Sequence, residues 1–225
     1  ENIAQFAPFI GLLLGSLQSF IYLFLRNNSW SIHASVSLCI MFSLLLTGGI
    51  HIDGLMDTFD GLYAGKRKMI KAMKDSKVGS FGVQAVLVIG LVQFAALSRI
   101  DRNILWVLPV SLFWGRFSNL IYINQHKYIN KKSKTISHKK YWRGIKKEAI
   151  VSFILFLLII NFYLIYTDSF IELIKNFTIN FLGLFVSFIV PSILGNKVGG
   201  FNGDTCGASI VITETIILLL YSFVL

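Results

Sequence analysis

The sequence predicts an all-α integral membrane protein with about seven transmembrane helices in one bundle. Of its 225 residues, 55% are hydrophobic and 14% are charged, and the mean hydropathy is +0.69; soluble domains carry about 25% charged residues. Long uncharged runs separate the charged windows, and about 20 apolar residues are enough to cross the hydrocarbon core. Such runs must be helices, because lipid offers the backbone no hydrogen-bond partner.

The apolar runs give seven expected spans within a single membrane-embedded domain, 1–225. They are Phe6–Leu25, Trp30–Ile50, Phe81–Leu97, Ile104–Ile123, Ala149–Tyr166, Phe177–Leu194 and Ala208–Leu225. The runs are continuously apolar and do not alternate, which excludes a membrane barrel. Because Glu1 is not a methionine, the chain is expected to begin inside a longer reading frame.

Positive charge is concentrated on alternate loops. The second and fourth loops hold six and nine cations and the sixth holds Lys197, whereas the opposite loops hold Arg26, Arg99, Arg102 and Lys175. This ratio of sixteen to four is a positive-inside signal and predicts a multi-pass protein of the cell (inner) membrane whose even-numbered loops face the cytoplasm. The net charge of +10 is explained by orientation and anionic lipid headgroups, or by steering of a polyanionic substrate. It requires no nucleic acid.

Three aspartates follow the second expected span. Asp53, Asp57 and Asp60 stand at i, i+4 and i+7, within about 60° of one another on a helix. No Lys or Arg in the stretch offsets their repulsion, and the C-terminal end of a span disfavours anions. An acidic, solvated helix end is the simpler interpretation, but a bound cation accounts for the arrangement better. Oxygen ligands in this number suit Mg²⁺, Mn²⁺ or Ca²⁺.

His51 precedes the first of these aspartates by two positions. On a regular helix it lies about 160° around from Asp53, so it is not an obvious metal ligand. One interpretation is a histidine that forms hydrogen bonds at the membrane interface. The other is a proton relay, or a contact with substrate across the bend at Gly48 and Gly49.

A second acidic motif lies in the last cytoplasmic loop. It reads Gly199-Gly200-Phe201-Asn202-Gly203-Asp204-Thr205-Cys206-Gly207-Ala208. The glycines allow positive φ and a close approach to a ligand. Asp204 or Thr205 can cap the seventh helix. Alternatively, Asp204 adds a fourth carboxylate to the aspartate group, because the charge rule places both motifs on one side of the membrane.

The third span opens on Asp75-Ser76-Lys77-Val78-Gly79-Ser80-Phe81-Gly82. Helix N-termini bind phosphate groups, and Lys77 adds a cation. Carboxylates that bind metal, placed opposite helix starts that bind phosphate, are typical of phosphoryl transfer. An ordinary helix start is the alternative.

Two ionisable residues fall inside expected spans, where such residues are usually functional. They are Arg116 in the fourth span and Glu214 in the seventh. They can form an ion pair that holds the bundle together. We expect instead that Arg116 contacts a substrate phosphate.

Taken together, these motifs resemble those of a known family, the cobalamin synthases, also called adenosylcobinamide-GDP ribazoletransferases. The resemblance is carried by His51-Ile52-Asp53-Gly54-Leu55 with Asp57, Asp60 and Gly61, by the segment from Asp75 to Gly82, and by Gly199 to Asp204 with Gly207 and Glu214. Pro8-Phe9-Ile10-Gly11 with Gly15 is similar to the family's first span, and Arg116 matches an arginine in its fourth. The basic segment 127–148 matches poorly.

The resemblance implies the joining step of the coenzyme B12 nucleotide loop. α-Ribazole, or its 5′-phosphate, displaces GMP from adenosylcobinamide-GDP and gives adenosylcobalamin or its phosphate. The implied cofactor is Mg²⁺, in an unknown number of ions, held by Asp53, Asp57, Asp60 and Asp204, with His51 as a further catalytic residue. The implied substrate contacts are Asp75, Ser76, Lys77, Gly79, Arg116, Gly200, Gly203 and Glu214. The other expected partner is the lipid bilayer. The sequence leaves open whether the chain forms a homo-oligomer.

Two other classes fit part of the pattern. A CDP-alcohol phosphotransferase of phospholipid synthesis also combines membrane helices with an aspartate cluster. Its pattern places an arginine soon after the first Asp-Gly, whereas here none follows Asp53-Gly54 until Arg67. A cation transporter predicts carboxylates near mid-membrane on several spans, whereas these cluster at one face.

Overall fold

The computed structural model describes residues 4–129, 142–166 and 170–224. The helices in these ranges are α1 (Ala7–Asn27), α2 (Ile32–Leu46), α3 (Ile50–Tyr63), α4 (Met69–Ala72), α5 (Ser80–Ile100), α6 (Ile104–Gln125), α7 (Ile145–Glu148), α8 (Ile150–Tyr166), α9 (Phe170–Val198) and α10 (Gly203–Val224). Five cations that support the orientation argument lie outside the described residues: Lys131, Lys132, Lys134, Lys139 and Lys140.

The prediction of an all-α membrane protein is confirmed. Among the described residues, α1, α5, α6, α9 and α10 are long and apolar enough to cross a membrane, and α2 with α3 makes a sixth span if that bent pair counts as one. The remaining expected span corresponds to α8, which has only 17 residues. Five to six such spans are roughly consistent with the expected seven.

Helix α6 occupies the centre of the bundle. It packs against α1, α9 and α10, and α10 in turn packs against α3 and α5. Buried side chains run along most of α6, among them Val107, Phe113 and Leu120. The outer helices instead expose large apolar side chains such as Phe20 on α1, as lipid-facing surfaces do. The central helix is therefore enclosed by protein.

Close approach of helices depends on glycine at the contacts that position the site. A Cβ built on Gly15 of α1 would lie 2.5 Å from the Pro109 Cα of α6. A Cβ built on Gly54 of α3 would lie 2.6 Å from the Asp204 carbonyl oxygen at the start of α10. Small residues allow this backbone contact between membrane helices. Helix α3 therefore rests directly on the second acidic motif.

The second expected span, Trp30–Ile50, is wrong as a continuous helix that leads into the aspartates. The chain turns by 88° between α2 and α3, because Gly48 and Gly49 adopt φ values of 60° and 72° that side chains with a Cβ avoid. Asp53 then lies in the first turn of a separate helix. There the helix dipole favours an anion, contrary to the expectation of an unfavourable C-terminal end.

Polar contacts mark the two ends of the bundle. At one end, the hydroxyl of Tyr22 donates to Asp101 at 2.6 Å, and the Arg99 side chain donates to the Ser222 carbonyl at 2.7 Å. At the other end, the starts of α5 and α10 meet α3. The fold thus brings both acidic motifs to the same end of the bundle.

Candidate active site

Four carboxylates lie near one another where α3 meets α5 and α10. Asp57 is within electrostatic range of Asp53, Asp60 and Asp204. Asp53 is exposed and the other three are partly buried. Among the described residues, none of the four forms an ion pair with Lys, Arg or His. The site therefore carries negative charge that its described surroundings do not neutralise.

The four side chains are neighbours but do not converge on one point. Within residues 4–129, 142–166 and 170–224, no three His, Cys, Asp or Glu side chains are arranged to hold a metal ion. Asp53 has no described side-chain hydrogen bond and is free to turn. Its donor atoms, like those of Asp57 and Asp204, are oxygens of the kind that Mg²⁺ prefers.

Asp60 is engaged differently from the other three. Its Oδ2 atom accepts a hydrogen bond from the Gly79 amide at 2.7 Å, and its Oδ1 atom accepts one from the Gly82 amide at 2.8 Å. A Cβ at either glycine would collide with the carboxylate. The N-terminus of α5, which the sequence suggested as a phosphate site, thus holds the Asp60 carboxylate. These contacts favour a positioning role for Asp60 over direct metal ligation.

The start of α10 is capped by Asn202, not by Asp204. The Asn202 side-chain oxygen accepts from the Thr205 amide, and the Thr205 hydroxyl accepts from the Asn202 amide, both at 2.9 Å. This reciprocal pair supplies the cap, in which Thr205 participates as the sequence suggested. Asp204 accepts one hydrogen bond, at 2.8 Å from the Asn202 side chain. Its carboxylate is therefore not needed to begin the helix.

A cavity of about 440 Å³ opens beside these carboxylates. We call it the aspartate cavity. It is lined by Ala4, Ala7, Ile50, His51, Asp53, Asn119, Leu120, Ile123, Tyr128, Phe201, Asn202, Gly203, Asp204, Cys206, Gly207 and Ile210. Its size falls in the range of about 300–1,000 Å³ that small-molecule sites occupy.

The predicted glycines take different places around this cavity. Gly200 is buried at φ 152°, and its carbonyl accepts a hydrogen bond from the Tyr122 hydroxyl at 3.2 Å. Gly203 begins α10 and has open space where a Cβ would stand. Gly200 therefore shapes the loop, whereas Gly203 lines the cavity.

Sequence reasoning did not predict most of the residues that line this cavity, among them Asn119, Tyr128 and Phe201. Asn119 lies three positions after Arg116 on α6, and Phe201 stands inside the glycine-rich motif. Tyr128 lies in the basic segment that matches the family poorly. The position of Phe201 within that motif could have indicated it, but nothing in the sequence indicates that Tyr128 lies beside Phe201.

His51 lies between two cavities. It lines the aspartate cavity and a second one of about 170 Å³, which we call the ion-pair cavity. That cavity is lined by Ile40, Met41, Ser43, Leu44, Thr47, His51, Ile52, Val86, Ile89, Gly90, Gln93, Arg116, Val211 and Glu214. His51 is also within electrostatic range of Arg116. Contact of His51 with substrate, proton transfer through it, and a hydrogen bond at the membrane interface remain predictions.

Arg116 and Glu214 form an ion pair inside the bundle. Their side chains are 5% and 9% exposed, and a guanidinium nitrogen donates to Glu214 Oε1. Gly115 makes room for the pair, since a Cβ there would lie 2.6 Å from Glu214 Oε1. The structure thus shows the ion pair that the sequence left as an alternative. The expected contact of Arg116 with a phosphate remains a prediction.

The segment before α5 is exposed. Asp75, Ser76 and Lys77 all face solvent, and the Lys77 amide donates to Asp75 Oδ1 at 3.1 Å. Gly79 binds Asp60, which places this segment beside the carboxylate group. None of the three exposed residues lines either cavity.

Comparison with known proteins agrees with the motifs. The family model described as cobalamin-5-phosphate synthase matches residues 1–222. A protein of Prochlorococcus marinus named adenosylcobinamide-GDP ribazoletransferase is 40% identical, covering 100% of this chain and 87% of its own. Proteins of the same name from Thermoanaerobacter pseudethanolicus and Clostridium kluyveri are 28% and 29% identical, over 98% and 96% of this chain and 86% and 84% of theirs. No solved structure matches. The chain belongs to the cobalamin-5-phosphate synthase family.

Proposed function

We propose that this protein is a Mg²⁺-dependent adenosylcobinamide-GDP ribazoletransferase. The observation that carries the proposal is the group of carboxylates with no cationic partner among the described residues, placed beside a cavity of ligand size. Family membership and the names of the relatives support the same reaction. The substrates are then adenosylcobinamide-GDP and α-ribazole or its 5′-phosphate.

The reaction breaks the phosphoanhydride bond of the donor and forms a phosphodiester. A ribose hydroxyl of α-ribazole attacks the phosphorus next to the cobinamide. The bond from that phosphorus to the oxygen that bridges to GMP breaks, and GMP leaves with the bonding electron pair. The proton of the attacking hydroxyl passes to a carboxylate of the aspartate group; Asp53 lines the cavity, and its carboxylate oxygen that does not bind the metal would accept the proton.

Asp53, Asp57 and Asp204 fit a hard divalent cation by their donor atoms and by their uncompensated charge. Mg²⁺ at these residues would neutralise the charge of the diphosphate. Asp60 holds α3 against α5 and so keeps Asp57 in place. Helix α10, packed on α3 at Gly54, brings Asp204 to the same group.

We further propose that the site faces the cytoplasm from the cell inner membrane. The uneven distribution of Lys and Arg supports this orientation, and water-soluble nucleotide substrates are consistent with it. A single cysteine placed at Lys71, an exposed position between α3 and α5, should resist impermeant thiol reagents in intact cells and react after permeabilisation. Labelling in intact cells would contradict the orientation.

Reconstitution tests the activity directly. Purified protein in lipid nanodiscs should release GMP from adenosylcobinamide-GDP when α-ribazole and Mg²⁺ are present, and a chelator should stop release. CDP-diacylglycerol with a polar alcohol serves as the control substrate pair. Release of CMP from that pair, without GMP release from the first, would favour a phospholipid-synthesising phosphotransferase instead.

A further inference from the structure

One wall of the aspartate cavity is aromatic. Tyr128 and Phe201 both line it, and their rings meet edge to face with centroids 5.3 Å apart. Tyr122 lies behind Phe201, with its ring centroid 6.0 Å away, and is buried. Tyr128 is partly exposed, whereas Phe201 is buried, so the exposed ring of this wall packs on buried aromatic side chains.

Main-chain hydrogen bonds fix this wall in place. The Phe201 amide donates to the Lys127 carbonyl at 2.9 Å, and the Ile129 amide donates to the Phe201 carbonyl at 3.0 Å. These bonds join the end of α6 to the glycine-rich loop before α10. Because the backbone holds both aromatic residues, the surface exists before any ligand binds, and binding does not have to order it.

Asn119 adds an amide to the same cavity. Its Oδ1 atom is buried and, within the described part of the chain, has no hydrogen-bond partner. A buried acceptor without a donor is unfavourable. A small turn of the amide would present it to a ligand that supplies the donor. The cavity thus offers flat aromatic surface together with incomplete hydrogen bonding.

The size of the cavity selects among the groups of the substrates. About 440 Å³ accommodates a one- or two-ring base with its ribose, but not a corrin macrocycle with its amide side chains. Asp53 and Asp204 line the same space, so a ribose bound there has its oxygens beside the carboxylates. The corrin must then remain outside, at the mouth of the cavity.

We propose that the aspartate cavity is a nucleoside subsite in which Tyr128, packed on Phe201, contacts the base and Asn119 forms a hydrogen bond to the base or ribose. This inference rests on the proposed function and specifies which part of the substrates the cavity holds. Two nucleosides have the required chemistry, the guanosine of the donor and the α-ribazole acceptor. Aromatic contact suits both, since every base has a flat π face.

Calorimetric titration in lipid nanodiscs, with GMP and α-ribazole as separate probes, tests the subsite. Tyr128→Leu and Asn119→Ala should each raise the Kd of one probe. For Tyr128→Leu, which removes an aromatic contact with a base, we expect an increase of about tenfold. Tyr128→Phe keeps the ring and should stay within about twofold of the wild type. The matched control is Tyr63→Leu, which removes an exposed ring that stacks on Phe81 at 4.0 Å and does not line the cavity.

The probe that responds identifies the nucleoside. If the wild type binds neither probe, or if neither Kd changes in Tyr128→Leu and Asn119→Ala, the subsite is refuted. Asn119→Ala decides alone if Tyr128→Leu does not give a monodisperse protein. GMP release is measured in parallel. If the protein turns over but the variants leave both Kd values unchanged, the subsite is refuted and the transferase activity is supported. If the variants raise a Kd but the wild type releases no GMP, the subsite is supported and the transferase activity is refuted.

Discussion

The aspartate cavity and the ion-pair cavity meet at His51 but treat charge in opposite ways. Asp53 and Asp204 line the first cavity and Asp57 lies near them. None of the three has a cationic partner among the described residues, and all lie near the end of the bundle. In the second, Arg116 and Glu214 are buried and paired with each other. Water near the bundle end can solvate unpaired charge, whereas the membrane interior makes an unpaired charge costly.

The two cavities differ in which charges are available to a ligand. A paired charge in the interior is already committed to the fold, and removing one partner exposes the cost of burying the other. Unpaired carboxylates at the bundle end can bind a cation without breaking an existing contact. Removing a charge from the first region should therefore impair activity, and removing one from the second should impair stability.

Arg116→Ala should give the largest effect, because it leaves Glu214 buried without a partner. We expect a loss of about 3–5 kcal/mol in the free energy of unfolding, measured by thermal denaturation in detergent, and partial recovery in the double variant with Glu214→Gln. The control is Arg26→Ala, whose partner Asp101 lies 4.0 Å away and is about one-third exposed; it should cost less than about 1 kcal/mol. A raised KM for adenosylcobinamide-GDP, unchanged stability and no rescue would instead assign Arg116 to a substrate phosphate.

Asp57→Asn should reduce turnover by about a hundredfold or more, the scale of losing one electrostatic contact to a transition state. Its thermal stability should change by no more than about 0.5 kcal/mol, since the carboxylate has no described ion pair. GMP release measures the first and thermal denaturation the second. Asp101→Asn, which changes a carboxylate at the opposite end of the bundle, should leave turnover intact. Near-normal turnover of Asp57→Asn at saturating Mg²⁺ would contradict the metal site.

Asp60→Asn should behave unlike its neighbour. An amide offers one acceptor oxygen to the two backbone donors at Gly79 and Gly82, so about 1.5–3 kcal/mol of stability should be lost. Affinity for Mn²⁺, measured by electron paramagnetic resonance of the unbound ion, should remain close to that of the wild type, whereas Asp57→Asn should weaken it. If Asp60→Asn instead loses Mn²⁺ affinity while its stability is unchanged, Asp60 is a metal ligand.

Lys77→Ala should give the smallest effect. The side chain is exposed and lines neither cavity, so it can attract the diphosphate only through solvent. We expect the KM for adenosylcobinamide-GDP to rise by about twofold at low ionic strength, and the difference to fade as salt screens the charge. A change in kcat, or an effect that persists at high salt, would place Lys77 in direct contact with substrate.

The membrane class and the approximate spans could be predicted from the sequence. Apolar runs of about 20 residues must be helical in lipid. Five expected spans correspond to α1, α5, α6, α9 and α10, with ends shifted by up to seven residues at the start of α9. The acidic motifs were also visible, because i, i+4 and i+7 spacing is a local property of a helix.

The contacts between these residues could not be predicted in this way, because they depend on the packing of the helices. The bonds from Asp60 to α5 join residues 19 and 22 positions apart, and the pair of Arg116 with Glu214 spans 98 positions. Tyr128 reaches Phe201 through backbone bonds between two loops. Local periodicity carries no information about such partners, because their contact depends on how the helices pack. That packing engages the Asp60 carboxylate with α5 and leaves Asp57 without a described ion pair.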